Sequence, residues 1–149
     1  MDVSSHIVSD TYDLLDSVET PTTRYEVLGF RSLVGNAAPV HAQQIHYMQR
    51  IGMRYHQVRI GLKQETSVRL EAGALHFLRG PIELDADLGH LGKLFRRGLG
   101  ALATGETVVK PVYTGTGEIF LEPSFRHFIL VELAGDPLIC DDGVFVACD

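Results

Sequence analysis

Apolar residues recur at every second position along much of this chain. The clearest case runs from Val68 to Leu84, where Val68 and Leu70 alternate with Arg69 and Glu71, Leu75 and Phe77 resume after Gly73, and Gly80-Pro81 precedes Ile82 and Leu84. Alternation punctuated by Gly and Pro marks half-buried antiparallel strands, so this stretch predicts two short strands and part of a third, bent at glycines. The same period predicts strands at Arg24–Phe30, with Tyr25 and Val27 on one face, and at Arg54–Leu62, with Val58, Ile60 and Leu62 on one face. Further strands are predicted at Thr107–Tyr113, Glu118–Glu122 and Phe128–Leu133. A tight turn is predicted at Gly115–Gly117, and a hairpin pairing Leu138–Cys140 with Val144–Cys148 around Asp141-Asp142-Gly143.

Three stretches depart from the period. Residues 1–23 hold five acidic side chains and several Ser and Thr, with Leu15 and Val18 near helical spacing, which predicts a flexible or partly helical N-terminal segment. Arg31–Gln44, containing Gly35-Asn36 and Pro39, reads as loop plus a short strand, and Ile45–Met48 as extended. Between Asp87 and Thr104 the apolar residues Leu88, Leu91, Phe95, Leu99 and Leu102 recur three to four apart, the pattern of one short helix near residues 90–102. Gly89, Gly92, Gly98 and Gly100 weaken it, each by up to about 1 kcal/mol. Many short strands and no alternating helices predict an all-β domain over residues 24–149, a sandwich or barrel rather than a parallel α/β sheet.

Composition narrows the function classes. The 149 residues are 45% hydrophobic and 21% charged, a globular balance, and they suffice for one domain that needs no disulfide staple. A net charge of -6 argues against broad nucleic-acid binding, whose affinity rests on phosphate neutralisation. The N-terminal MDVSSHIVSD has no positive n-region and no run of 18 apolar residues occurs, so the expected location is cytoplasmic. Cys140 and Cys148 read as reduced, mostly buried thiols, with a cross-strand disulfide as the alternative.

Several glycine-anchored segments stand in a recognisable order: YEVLGF, LEAGALHFLRGPIEL, the basic glycine-loosened helix, GLGALATGET, GTGEIFLEP and DDGVFVACD. In this order the chain resembles the AIM24 family over roughly residues 24–148, most specifically between Leu70 and Glu122. The resemblance implies a fold similar to the trp RNA-binding attenuation protein: two facing antiparallel sheets in a double-stranded β-helix, or TRAP-like β-sandwich, arrangement. It also implies homo-oligomers, no agreed biochemical activity and no catalytic motif, and the fungal namesake is associated with the mitochondrial inner membrane. Family members are commonly longer than this chain, and a short member is expected to expose an apolar face that favours self-association.

A double-stranded β-helix is also the cupin fold, whose metal sites need H-x-H and a nearby Glu. No H-x-H is present. The alternative is that His56, His76 and His127 converge from neighbouring strands with Glu71, giving a cupin-like metal-dependent enzyme; imidazoles need preorganised partners to hold a metal. Gly98-Leu99-Gly100-Ala101-Leu102-Ala103 matches a dinucleotide fingerprint, but here the glycines close a helix rather than open one. The localised charge feature is Lys93, Arg96 and Arg97 around Phe95, which suits an anionic surface. These readings converge on a non-enzymatic binding or scaffold module, with no cofactor, working as a homo-oligomer. Lys93, Phe95, Arg96 and Arg97 would meet a membrane surface or an acidic protein, making the protein cytoplasmic or peripherally membrane-bound.

Overall fold

A computed structural model of the chain describes residues 11–32, 39–85, 110–141 and 143–149, and it is organised around one long strand. In chain order the elements are β1 (Tyr12–Glu19), β2 (Thr23–Phe30), α1 (Pro39–Arg50), β3 (His56–Leu70), β4 (Leu75–Arg79), β5 (Ile82–Asp85), β6 (Val112–Leu121) and β7 (Ala147–Cys148). All described strands join one antiparallel sheet in the order β1-β2-β3-β6-β4, with β5 also on β6 and β7 also on β3. The all-β expectation holds. The described strands form one continuous open sheet, and a second facing sheet is not among them. The helix expected near residues 90–102 lies outside the described residues.

Alternation along β3 decides which face is the core. Val58, Ile60 and Leu62 point to one side, where Tyr25 of β2 lies opposite Ile60 and Ile119 of β6 flanks Ile60 from the other side. They join Val68, Leu70, Tyr113 and Leu121 in one buried cluster, against which Leu75, Leu78, Ile82, Phe128 and Val146 pack. Each fully buried aliphatic side chain contributes about 1.5–3 kcal/mol. The other face is buried in places too: Leu28, Gln57 and Phe120 lie there, and Phe77 stacks on Phe120 at 4.4 Å.

Gly115–Gly117 is not a turn. β6 runs through both glycines, with β3 on one side and β4 and β5 on the other. At this level β3 bulges between Leu62 and Thr66, and the β4–β5 strand line breaks at Gly80-Pro81. The break brings backbones into close approach. A Cβ on Gly115 would lie 2.1 Å from the Pro81 carbonyl oxygen, and one on Gly117 would lie 2.1 Å from that of Arg79. These glycines thus permit a crossing, not a reversal, and residues from both sides of it fill the single core.

Two further expectations are corrected. Within the N-terminal segment, residues 12–19 form a strand rather than a frayed or helical piece, because Tyr12 to Glu19 pairs antiparallel with Phe30 to Arg24. A bulge between Leu14 and Asp16 shifts the alternation by one residue, which is why the apolar spacing mimics a helix. Where loop and extended chain were expected, Pro39–Arg50 is helical. Pro39 suits a first helical position, Gln43, Gln44, Met48 and Gln49 are good helix formers, and Arg50 complements the carbonyl end. Gly52, at φ 80°, ends it: its N–H donates to Gln49 O at 3.1 Å and the Met53 N–H donates to Met48 O at 2.9 Å, a Schellman pair.

Candidate functional site

Of the side chains proposed to gather a metal, His56 and His127 lie together and His76 and Glu71 lie elsewhere. Alternation puts His56 on the Val58 face and Gln57 on the opposite one. The His56 Nδ1 bonds the Arg126 carbonyl oxygen at 2.9 Å, and its ring lies 5.8 Å from that of His127. His76, across the sheet, accepts at Nδ1 from the Gln57 Nε2 at 3.2 Å. That buried amide also donates to Leu121 O at 2.9 Å and accepts from the Tyr12 hydroxyl at 3.0 Å, so its polar atoms are satisfied structurally. Glu71 is paired with Lys110. His56 and His127 are therefore neighbours, whereas His76 and Glu71 join neither each other nor that pair. Among the described residues no group of three or more His, Cys, Asp or Glu side chains is arranged to hold a metal ion.

Charged side chains form a row across four strands on the face opposite the core. Arg24 donates to Glu26 at 2.9 Å, Glu26 also binds Arg59, the Arg59 Nη1 lies 3.6 Å from Glu118, and Arg79 donates to Glu118 at 3.1 Å. The alternating signs follow from register: Glu26 faces Arg59 across β2 and β3, and Arg79 faces Glu118 across β4 and β6. Glu26 is buried, and the Arg59 side chain is only 12% exposed. Every member of the row has an opposite charge beside it, which marks a structural network rather than a reactive pair.

A smaller polar cleft of about 150 Å³ opens between Phe30 and Met53, with Arg31, Gln49 and Arg54 in its lining. Asp13 bridges the two guanidinium groups at 2.8 and 3.0 Å. The Arg31 hydrogen bond, more than any other contact, holds the Asp13 carboxyl below its usual range. Near the other end of the sheet, burial pushes the Tyr25 hydroxyl upward, reinforced by the Asp149 carboxylate, which also accepts from the Thr23 hydroxyl at 2.6 Å.

The surface that stands out follows β6. Phe128–Leu133 has the composition of a strand, yet no strand forms there, and the expected Leu138–Cys140 hairpin is absent too, since Ala147–Cys148 pairs with β3 instead. Among the described residues, no backbone hydrogen bond ties residues 127–140 to the sheet. The segment is nevertheless anchored at both ends. Ser124 exchanges backbone bonds with His56 at 2.7 and 2.9 Å, Phe125 lies 4.6 Å from Tyr55, and Phe128 packs on the core. At the far end Phe145 lies under Lys110 at 4.4 Å and Val146 packs on the core. Between these anchors the apolar side chains turn outward: Ile129 is 83% exposed and Ile139 92%, with Val131, Leu133, Leu138 and Val144 also exposed. Cys140 and Cys148 are free and exposed, correcting the expectation of mostly buried thiols, which rested on the frequency of small apolar cysteines in cores.

Alternation in Phe128–Leu133 was the available signal for this surface; that no described strand pairs with it was not legible. Lys93, Phe95, Arg96 and Arg97 lie outside the described residues. Among the described residues no helix is long and apolar enough to cross a membrane.

No curated protein and no solved structure matches the chain. Residues 48–149 match the family described as mitochondrial biogenesis AIM24. That span takes in β3 through β7, the glycine crossing and the exposed anchored segment, and the chain belongs to the AIM24 family.

Proposed function

We propose that this AIM24-family protein is a non-enzymatic binding or scaffold module that acts by self-association. The observation that carries the reading is the anchored apolar segment. A chain that buries Val58, Ile60, Leu70 and Ile119 almost completely also presents Ile129, Val131, Leu133, Leu138 and Ile139 to solvent between fixed ends. An exposed apolar segment held between fixed ends is suited to an interaction site. The fully partnered charge row, and the distance of His76 and Glu71 from the His56–His127 pair, support binding over chemistry. Light scattering behind size-exclusion chromatography at high micromolar protein is expected to give at least twice the monomer mass; monomer alone overturns the reading.

The module's second contact, with an anionic membrane surface or acidic protein, is assigned to Lys93, Phe95, Arg96 and Arg97. Three cations at about 1 kcal/mol each give weak attachment as a monomer, and association multiplies it by presenting several copies together. Co-sedimentation with phosphatidylserine vesicles is expected to fall severalfold when Lys93, Arg96 and Arg97 are all changed to Ala. Equal sedimentation removes this contact from the function.

A further inference from the structure

The segment that follows the Ser124 bridge has a symmetry in its charges. Arg126 and Glu132 stand three residues on either side of Ile129, the most exposed of the apolar residues between Phe125 and Leu133. Neither side chain has an ion-pair partner among the described residues. Phe128 and Leu130 are half-buried, while Ile129, Val131 and Leu133 project to the other side, the period of an extended strand. From His127 to Glu132 the sequence is strand-like and, among the described residues, its backbone groups have no ladder partner, the condition under which a second strand is recruited.

We propose that residues 126–132 pair antiparallel with the same residues of a second copy, about a two-fold axis at Ile129. This rests on the self-association reading and specifies its interface. In this register Arg126 faces the partner's Glu132, the reciprocal pair forms by symmetry, Phe128 faces the partner's Leu130, and Ile129 meets the partner's Ile129. Two charge pairs close the ends of an apolar strip, a self-complementary patch of the kind a two-fold interface requires.

Neighbouring registers fit less well. Centring on Leu130 sets Phe128 against the partner's Glu132 and leaves both charges unmatched. Centring on Val131 sets Arg126 against the partner's Asp136 but runs the pairing through Gly135, where φ is 98° and the strand is broken. The Ile129 register ends before that bend and follows the Ser124 bridge; because the Arg126 N–H already donates to Ser124 Oγ and its carbonyl already bonds His56 Nδ1, the new ladder bonds run between residues 127 and 131 and Arg126 contributes its side chain alone.

The test places single cysteines on the strip. In protein with Cys140 and Cys148 changed to Ser, Ile129→Cys is expected to form a disulfide-linked dimer under mild oxidation, seen on a non-reducing gel. Val131→Cys, displaced from the axis, is expected to cross-link at least about tenfold more slowly, since bridging tolerates only short Cα separations. By light scattering, Arg126→Glu and Glu132→Arg should each weaken the dimer roughly tenfold, and the double exchange should restore it. If the wild type is a monomer, the self-association reading itself fails. Should it be a dimer in which Ile129→Cys does not cross-link, or in which the single and double charge variants behave alike, the reading stands and this interface is wrong.

Discussion

Gly117→Ala is expected to cost about 4–5 kcal/mol, a large fraction of the stability of a domain this size. Two effects add at this position. Its φ of 150° is one that L side chains rarely adopt, and the new Cβ would meet the Arg79 carbonyl oxygen at 2.1 Å and the Gly80 Cα at 3.0 Å. Both neighbours are backbone, so no rotamer change relieves the contact; β4 and β6 must separate. Because β6 is the only described strand touching both β3 and the β4–β5 line, separation there divides the core between its two halves. Gly73→Ala is the matched control. It also has positive φ, 80°, but nothing lies within 4 Å of its would-be Cβ, so its cost is limited to about 1–2 kcal/mol of backbone strain. Urea unfolding followed by circular dichroism separates the two; equal midpoints for both variants would show that the crossing is not under the constraint described.

Removing the Glu26 carboxylate is expected to cost about 3–5 kcal/mol, because a nearly buried guanidinium loses its direct partner. Arg59 would retain only the longer 3.6 Å approach to Glu118, whose carboxylate is shared with Arg79. Arg79 is 45% exposed at the solvent end of the same row, and Arg79→Ala should cost less than about 1 kcal/mol. The contrast isolates burial from charge, since both side chains belong to one network. Replacing Glu26 with Leu and Arg59 with Met together should recover most of the loss, as apolar substitutes for buried pairs commonly do. The measurement is again denaturant unfolding of the single and double variants. A double variant no better than Glu26→Ala would mean that the row's value lies in its remaining pairings and not in relieving a stranded cation.

Sequence alternation was readable wherever a strand kept one face to the core without interruption. Val58, Ile60 and Leu62 in β3, Tyr25 and Val27 in β2, and the bend at Gly80-Pro81 were all legible for that reason. β1 was not, because its bulge at Leu15 transfers the apolar positions from one face to the other midway. α1 was hidden by the meaning of its boundaries: Pro39 and Gly52 read as loop punctuation, while in the structure one starts the helix and the other stops it. The glycines of β6 misled for a different reason. A Gly-x-Gly spacing is equally compatible with a turn and with a close crossing, and what decides between them is Gly80-Pro81, a long way back along the chain. Phe128–Leu133 was expected to be a strand and is not one, because propensity describes a segment's fitness for a sheet, not whether a neighbouring strand is supplied. The symmetric placement of Arg126 and Glu132 was present in the sequence and acquires meaning only once no described strand is seen to pair with the segment.

The two outer borders of the described sheet have a consequence for how the proposed assembly would stop. Along β1 the bulge interrupts the ladder and Asp13, Asp16 and Glu19 line the strand; along the other border Pro81 lacks an N–H and the chain bends at Gly80. Such irregular or charged edges discourage another sheet from adding on. Growth by edge-to-edge stacking is therefore suppressed along both described borders, and the two-fold contact proposed around Ile129 would use up the strip there. Pairing of that kind is closed: under the proposed contact it would yield a finite particle instead of a fibre, even though the molecule carries an exposed apolar strand-like segment of the type that otherwise seeds aggregation.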